Sequence, residues 1–444
     1  MITPSLDRLF GLAAHGTTVR TEILAGATTF LTMAYIIFVQ PTVLAEAGMD
    51  FGAVLVATCL ASAAGSLLMA FLANYPIALA PGMGHNFFFV YAVVLGTGVA
   101  WQTALGAVCI AGILFVLTAR FGVRERLIEA MPPSLRHAIA GGIGLLIAVI
   151  GLEWAGIIVA VPGTLVGLGA LGAPAVLLAL LGLTATGVLY ARAVPGALLW
   201  GILVTTAAGL VGGLIEFRGV VGAPPSIAPT WLQLDLRGAL VPEMIAIVLV
   251  FLLVDLFDTV GTLMSVSQQS GLMRDGTLPR ARRAFLADAL ATVIGAGLGT
   301  STVTAYVESA TGVAAGGRTG LTAATTGCLF LLALPFFPLV QMIGGGVDGP
   351  GGVRLYPVIA PALVIVGALM VKQVANVEWD DPTEAIPAFL TLTVMPLAVS
   401  ITEGIAFGFI AFSTLKLCTG RGRESHWLIH LFAVLFLLRY VVLR

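Results

Sequence analysis

Two stretches of this chain interrupt long apolar runs: residues 74–94 read NYPIALAPGMGHNFFFVYAVV, and residues 297–317 read GLGTSTVTAYVESATGVAAGG. The first carries two prolines and two glycines in its first half, which is unfavourable for a continuous helix. The second opens with small and β-branched residues that suit an extended strand, and from Glu308 its composition suits a helix. Backbone that is not helical cannot face lipid, so it must be buried or line a cavity.

The composition places these stretches in a membrane. Of 444 residues, 59% are hydrophobic and only 10% are charged, and the mean hydropathy is +1.06. Soluble domains are about 45–50% apolar and about 25% charged. This excludes a cytoplasmic globular enzyme, a secreted disulfide scaffold and a disordered chain, and the net charge of −1 offers no basic face for a nucleic acid. The class is a polytopic α-helical membrane protein.

Fourteen transmembrane segments are predicted from apolar runs of about 20 residues. They lie at 23–45, at three places within the charge-free run 51–119, and then at 134–161, 174–191, 194–215, 242–266, 284–299, 300–316, 320–343, 356–371, 385–400 and 401–418. No cleaved signal peptide is recognised at the start. A last apolar stretch at 427–443 is interpreted as an interfacial helix, and a fifteenth span is the alternative.

The distribution of basic residues supports this count. With the N-terminus in the cytoplasm, 21 Lys and Arg residues all fall on the inner side except Arg218, Arg237 and Arg354. The two interrupted segments lie about 220 residues apart, as do the first and eighth spans. Because seven spans per half is an odd number, the second half enters from the opposite side, which predicts the inverted repeat of secondary transporters.

Ionisable residues inside apolar spans are the candidates for the binding site, since each carboxylate costs roughly 2.5–3.5 kcal/mol on insertion scales. Asp255 and Asp258 have the i, i+3 spacing that puts both on one face of the eighth span, and Thr262 continues that face. Two acids so close in hydrocarbon cannot both ionise cheaply, so one is expected to carry a proton. The alternative is a structural hydrogen-bond network between helices.

The junctions of the interrupted segments supply further candidates. Glu308 lies where a half-helix begins, so it is either a ligand or a helix cap that interacts with the dipole. Asn86, at the equivalent break, offers both a donor and an acceptor to a heterocycle, or is a turn residue. Three roles are considered for His85: substrate binding, proton relay and capping of the half-helix. Phe87 is one of three phenylalanines that could stack on a flat ligand.

Five stretches of the chain carry a resemblance to a known family. They are GATTFLTMAYIIFVQP (26–41), ALAPGMGHNFFF (78–89), VDLFDTVGTL (254–263), GTSTVTAYVESATGVAAGGRTGLTA (299–323) and DDPTEAIPAFLTLTVMPLAVSITEGIAFGF (380–409). In these the chain resembles the AzgA-like purine permeases of the nucleobase–cation symporter family, which also contains the uracil permease. The resemblance extends from about residue 18 to residue 418.

The resemblance implies an all-α fold of fourteen segments as 7+7 inverted repeats, with short antiparallel strands in the third and tenth. It implies a core domain of residues 1–130 and 241–345 and a gate domain of residues 131–240 and 346–424, and residues 425–444 form the terminal helix. Family acids that bind the base match Asp258, or Asp255 one turn earlier, and Glu308. Asn86 matches a polar residue of AzgA-like third spans. His85 departs from the apolar residue usual in relatives.

The hypothesis is a purine nucleobase:proton symporter of the cell membrane that works by an elevator-like movement. It is not expected to be an enzyme or to need a cofactor or a metal, and a homodimer through the gate domain is considered. Alternatives are a uracil or xanthine permease, sodium coupling, and an anion transporter or channel of the same fold. The predicted substrate contacts are His85, Asn86, Phe87, Asp255, Asp258, Thr262, Tyr306, Val307, Glu308 and Ser309, and proton coupling is assigned to Asp258, Glu308 and Asp255.

Overall fold

The computed structural model describes residues 4–121, 131–161, 163–269, 272–273 and 278–442. Four basic residues that are predicted from sequence to lie on the inner side, Arg124, Arg126, Arg274 and Arg444, fall outside these described residues. Helices dominate the described part, and its strands have two to four residues each.

The first half of the chain contains nine helices and three strands within the described residues. They are, in chain order, α1 (Pro4–Phe10), α2 (Val19–Met33), α3 (Ile36–Glu46), α4 (Phe51–Leu68), β1 (Leu79–Pro81), α5 (Met83–Phe87), α6 (Trp101–Phe121), α7 (Pro133–Trp154), β2 (Ile158–Val161), β3 (Leu165–Leu168), α8 (Pro174–Ala191) and α9 (Ala197–Val211). Wider π-type turns extend α4 through Ala73 and α5 through Leu95.

The second half follows the same plan and adds a terminal helix. Its elements are α10 (Leu236–Ala239), α11 (Pro242–Gln269), α12 (Ala281–Leu298), β4 (Val303–Ala305), α13 (Ser309–Ala314), α14 (Gly320–Leu332), α15 (Phe337–Gly344), β5 (Val347–Asp348), β6 (Arg354–Leu355), α16 (Ala360–Val371), α17 (Pro382–Leu397), α18 (Ile401–Cys418) and α19 (Trp427–Val442).

Seven helices among the described residues are long and apolar enough to cross a membrane, and α14 with α15 makes an eighth if this pair, bent by 40°, is one span. The third and tenth segments are not continuous helices, since each is a strand followed by a short helix. The helical membrane fold predicted from the sequence is confirmed, including the short strands in the two broken segments.

The two broken segments meet at the centre of the protein. Strand β1 pairs antiparallel with β4, and Ala80 lies opposite Thr304. Every residue of both strands is buried. Antiparallel pairing of two segments about 220 residues apart is the arrangement expected when the second half of the chain enters the membrane from the opposite side.

Asn74 explains where the third segment stops being helical. Its backbone is left-handed (φ 54°), a conformation that ends a helix and that Asn tolerates better than most residues. Its side-chain amide donates to the carbonyl of Phe10 at 2.9 Å and accepts from the backbone N–H of Gly320 at 2.7 Å. The break therefore also joins the chain start to the N-terminus of α14.

The long helices pack in two groups. In one group, α14 packs against α2 and α4, and α12 packs against α4 and α6. In the other, α7 packs against α16 and α17, and α17 packs against α18. Glycines permit close approach within the second group: a Cβ at Gly144 would lie 2.7 Å from the carbonyl oxygen of Gly367.

Candidate functional site

Strands β1 and β4 lie at the base of the candidate site. Their backbone polar groups form hydrogen bonds within the protein. The N–H of Gly82 donates to the carbonyl of Thr302 at 2.9 Å, and the N–H of Tyr306 donates to Ala78 at 3.0 Å. Gly82 admits no side chain, since a Cβ there would lie 2.5 Å from Nδ1 of His85. These bonds keep two half-helix starts, at Met83 and Ser309, on either side of one short sheet.

Glu308 immediately precedes the second half-helix and is half-buried. Its Oε1 accepts a hydrogen bond of 2.8 Å from the hydroxyl of Tyr35, which lies between α2 and α3. Tyr35 is only 1% exposed, so its ring is fixed by packing. One carboxylate oxygen of Glu308 is thus held by the protein, and its neighbour Val307 is 52% exposed.

Asp258 lies on α11, which contacts α13, the half-helix that Glu308 immediately precedes. Asp258 is half-buried, and α11 is exposed beyond it, because a Cβ on Gly261 would meet no atom within 4 Å and Met264 is 39% exposed. On the other side of Asp258, residues 250–256 are all buried. The exposed part of α11 therefore lies towards its end at Gln269, at the membrane face on which the N-terminus lies.

Asp255 is placed differently from Asp258, although the two are one turn apart. It is 3% exposed, and the hydroxyl oxygens of Thr259 and Thr292 each lie 3.4 Å from its carboxylate. Thr262 is also buried. Asp255 and Asp258 therefore differ in burial although they are one turn apart, and the role of Asp255 as a substrate ligand stays a prediction.

Asp288 on α12 is a buried carboxylate that was not among the residues predicted from sequence. Its Oδ2 accepts from the hydroxyl of Thr259 at 2.8 Å, and its Oδ1 accepts from the N–H of Ala305 at 3.0 Å. Thr259 also bonds to Thr304 of β4 at 2.9 Å. Asp288 therefore ties α11 to the strand that leads into Glu308. The signal for it was a lone acid within an apolar run.

Two other candidates of the tenth segment hold the broken backbone together. The hydroxyl of Tyr306 donates to the carbonyl of Pro81 at 2.5 Å, and the hydroxyl of Ser309 accepts from the N–H of Ala78 at 3.0 Å. Both side chains are buried. Of the four consecutive candidates from Tyr306 to Ser309, only Val307, which is exposed, and Glu308, which is half-buried, are not fully buried.

The candidates of the third segment are fully buried. The side-chain oxygen of Asn86 accepts from the hydroxyl of Ser301, which in turn accepts from Gln40 at 3.1 Å. Among the described residues, neither ring nitrogen of His85 has a hydrogen-bond partner, although its ring is 1% exposed. The ring of Phe87 stacks on that of Tyr91, with centroids 5.9 Å apart. Their roles as substrate ligands stay predictions.

An aromatic and acidic cluster joins the ends of α3 and α7 to Tyr356, which lies shortly before α16. The hydroxyl of Tyr356 donates to Oε1 of Glu46 at 2.5 Å, and the rings of Tyr356 and Trp154 lie 4.5 Å apart. The ring of Phe87 lies 6.4 Å from Trp154, which connects this cluster to the third segment. Glu46 ends α3 and Trp154 ends α7, so the cluster lies at the membrane face opposite the N-terminus. No local sequence pattern pairs these residues.

Within the described part of the chain, no three His, Cys, Asp or Glu side chains are grouped so that they could hold a metal ion. What the site offers instead is two carboxylates, one of them oriented by a tyrosine, at the junction of a strand and a half-helix. Carboxylates accept hydrogen bonds from N–H groups, and such charge-assisted bonds are roughly twice as strong as neutral ones.

Comparison with known proteins shows similarity to permeases along nearly the whole chain. The sequence profile of the permease family (Xan_ur_permease) matches residues 20–407. The chain is 45% identical to the adenine permease AdeP of Escherichia coli (strain K12), over 98% of this chain and 96% of that protein. It is 46% identical to the guanine/hypoxanthine permease PbuG of Bacillus subtilis (strain 168), over 97% of this chain and 98% of that protein.

Among solved structures, the transmembrane domain of the cyanobacterium bicarbonate transporter BicA is similar, with a TM-score of 0.60 and 14% identity. The match covers 88% of this chain and 97% of that one. At this identity the likeness concerns the fold alone. The resemblance to purine permeases seen in the sequence is confirmed by the relatives.

Proposed function

The chain belongs to the permease family, and from that premise we propose that it is a purine nucleobase:proton symporter in which Asp258 and Glu308 bind the base. Its full-length similarity to adenine and guanine/hypoxanthine permeases supports the substrate class. The observation that carries the site is the half-buried Glu308 carboxylate, which the hydroxyl of Tyr35 orients at 2.8 Å and which immediately precedes the half-helix that contacts α11, the helix of Asp258.

The chemistry of the pair fits a neutral heterocycle. A purine presents ring N–H groups, and the carboxylate oxygen of Glu308 that Tyr35 leaves uncommitted can accept one of them. Two carboxylates in a low-dielectric site repel each other, so occupation by one base is favoured when one acid carries a proton. Binding of base and proton would then be mutually dependent, which is the requirement for symport.

The movement that we propose is an elevator-like displacement of one helix group against the other. The group with α2, α4, α6, α12 and α14, against which α11 and α13 pack, carries the acid pair, and the group with α7, α16, α17 and α18 would be the gate. Two features support an asymmetric resting state: the Glu46–Tyr356 bond at the face opposite the N-terminus, and the exposed end of α11 at Gly261 and Met264 towards the other face. Separation of Glu46 from Tyr356 would open the alternate route.

An anion transporter of the same fold is the second candidate, because BicA shares the fold. An anion site requires a cation or free helix N-termini. Half-helices do start at Met83 and Ser309, but the acids Asp258 and Glu308 beside them would repel an anion. Among the described residues, no Lys or Arg forms an ion pair with Asp258 or Glu308. The substrates of a uracil or xanthine permease differ only in the donors and acceptors of the ring edge. A competition assay with labelled purine distinguishes these substrates.

The chain is a multi-pass membrane protein of the permease family. We place it in the cell membrane with its N-terminus in the cytoplasm, because that orientation puts nearly all Lys and Arg residues inside. A homodimer through the gate group belongs to the same proposal, and no catalytic role or cofactor is part of it.

Glu308→Gln tests the assignment, since it keeps the volume and replaces an acceptor oxygen by a donor. Removing one partner of a buried hydrogen bond costs about 1–3 kcal/mol, and about 1.4 kcal/mol is a factor of ten. We expect at least about tenfold weaker binding of adenine, guanine or hypoxanthine in calorimetry on purified protein. Glu378→Gln, in an exposed loop, is the matched control. Folded Glu308→Gln protein with unchanged affinity would remove Glu308 from the site and undercut the purine assignment.

Coupling is tested separately in cells. Uptake of labelled base should fall when a protonophore collapses the proton gradient, and it should be indifferent to replacement of sodium by choline. Strict dependence on sodium would contradict proton symport while leaving the nucleobase site intact.

A further inference from the structure

We propose that the C-terminal helix α19 crosses the membrane as a fifteenth span, so that the two ends of the chain lie on opposite faces. The sequence alone favours an interfacial helix at this place, because the run 427–443 is short and contains His430 and Arg439. Three observations favour a membrane-spanning α19: its packing against α18, the environment of its polar side chains and the composition of its outward face. The inference does not depend on the transported substrate.

The first half of α19 lies antiparallel against the last turns of α18. Nδ1 of His430 lies 2.8 Å from the hydroxyl of Ser413, and its Nε2 lies 2.8 Å from the hydroxyl of Ser425. Further along, the ring of Phe432 meets that of Phe409 edge-on, with centroids 6.0 Å apart. The residue numbers of the contacts rise from 430 to 432 along α19 and fall from 413 to 409 along α18, as expected for antiparallel helices.

The second half of α19 continues in the same register to the other end of α18. The ring of Phe436 also contacts Phe409, at 6.1 Å, and the ring of Tyr440 lies 6.2 Å from Phe407. The hydroxyl of Tyr440 donates a hydrogen bond to the carboxylate of Glu403. Glu403 is in the first turn of α18, so the end of α19 reaches the level at which α18 enters the membrane.

The turn between α18 and α19 is anchored at the opposite end of this hairpin. Nζ of Lys416 lies 3.0 Å from the carboxylate of Glu384, and the guanidinium of Arg421 lies 2.8 Å from that of Asp381. Hydrogen bonds from Thr383, assisted by Arg421, lower the pKa of Asp381 to about 2. These ion pairs hold the turn before α19 at the first turn of α17, on the membrane face on which the N-terminus lies.

The outward face of α19 distinguishes a span from an interfacial helix. A helix that lies in the interface buries one apolar face and turns a polar face to water. The described outward side chains of α19 are instead apolar, with Leu431, Val434, Leu438 and Val441 each at least 42% exposed. An apolar outward face suits lipid on that side along the whole helix.

The length of α19 is sufficient for this role. Its 16 residues match the 16 residues of α17, which lies in the same helix group. At about 1.5 Å per residue such a helix is about 24 Å long, and a modest mismatch with a hydrocarbon layer of about 30 Å is accommodated by local thinning. Arg439 belongs to the last turn of the helix, and basic residues are tolerated near the ends of a span.

The test compares the two ends of the full-length chain in the same intact cells. One epitope tag with a protease site precedes Met1, and a different tag with the same protease site follows Arg444. Added protease should remove one tag and spare the other until detergent opens the membrane. If intact cells lose both tags or keep both, the two ends share one face and the fifteenth span is overturned.

Cysteine labelling gives a second measurement, in a variant whose four native cysteines are replaced by alanine. Single substitutions Ser226→Cys and Glu378→Cys mark the two faces, since both residues are exposed in loops on opposite sides. A cysteine added after Arg444 should label with an impermeant maleimide as Ser226→Cys does, and Ser425→Cys should behave as Glu378→Cys. If the added cysteine labels as Glu378→Cys does, α19 does not cross the membrane.

Discussion

Replacement of Tyr35 by phenylalanine removes a single hydroxyl from the candidate site. That hydroxyl donates to Oε1 of Glu308 at 2.8 Å, and the ring that carries it is 1% exposed. Because phenylalanine fills the same volume, the packing between α2 and α3 is retained. The change therefore isolates the orientation of the Glu308 carboxylate.

The size of the effect follows from the charge of the acceptor. A hydrogen bond to a charged group contributes about 1.5–3 kcal/mol, and about 1.4 kcal/mol corresponds to a factor of ten. Glu308 is half-buried, so water can replace part of the lost interaction. We therefore expect the lower end of this range, which is about tenfold weaker binding of the base.

A double-mutant cycle with Glu308→Gln distinguishes this role from a structural one. Calorimetry on purified protein should show that Tyr35→Phe has an effect of less than about twofold once Glu308 is already replaced, because the oriented carboxylate is gone. Tyr75→Phe is the control, since Tyr75 is equally buried but its ring faces the guanidinium of Arg280 at 5.3 Å. An equal loss in both backgrounds, or no loss at all, would refute the positioning role.

Three further predictions concern the rest of the site. Asp288→Asn should leave one buried donor, either the hydroxyl of Thr259 or the N–H of Ala305, without its acceptor. The free energy of unfolding, measured by denaturation of purified protein, should fall by about 1–3 kcal/mol, and unchanged stability would contradict the hydrogen-bond network around Asp288. His85→Leu should alter the ranking of competing bases in uptake assays, and an unchanged ranking with normal expression would make His85 a structural residue. Tyr356→Phe should weaken the closed state at the face opposite the N-terminus and raise the labelling by a polar reagent of Phe87→Cys, a buried position beside Trp154; equal labelling with and without Tyr356→Phe would argue against a gate.

Predictions from sequence were most successful where the membrane itself sets the rule. Long apolar runs must form helices in lipid, so most spans could be recognised from composition alone. The two broken segments were recognisable because proline, glycine and β-branched residues are incompatible with helix at those places. The short antiparallel strands in these segments were implied by the family resemblance, whereas the pairing of β1 with β4 and the register of Ala80 opposite Thr304 are details of tertiary structure.

The amino-acid sequence by itself determined the membrane class, the two halves, the permease resemblance and the candidate acids Asp255, Asp258 and Glu308, but not Asp288. Tertiary structure decided the surroundings of each acid. Asp255 and Asp258 have equivalent sequence contexts, yet Asp255 is buried beside Thr259 and Thr292, whereas Asp258 is half-buried. The bonds of Tyr35 to Glu308 and of Tyr356 to Glu46 each join residues hundreds of positions apart. Local periodicity specifies the face of a helix, whereas only the neighbouring helices specify what that face touches.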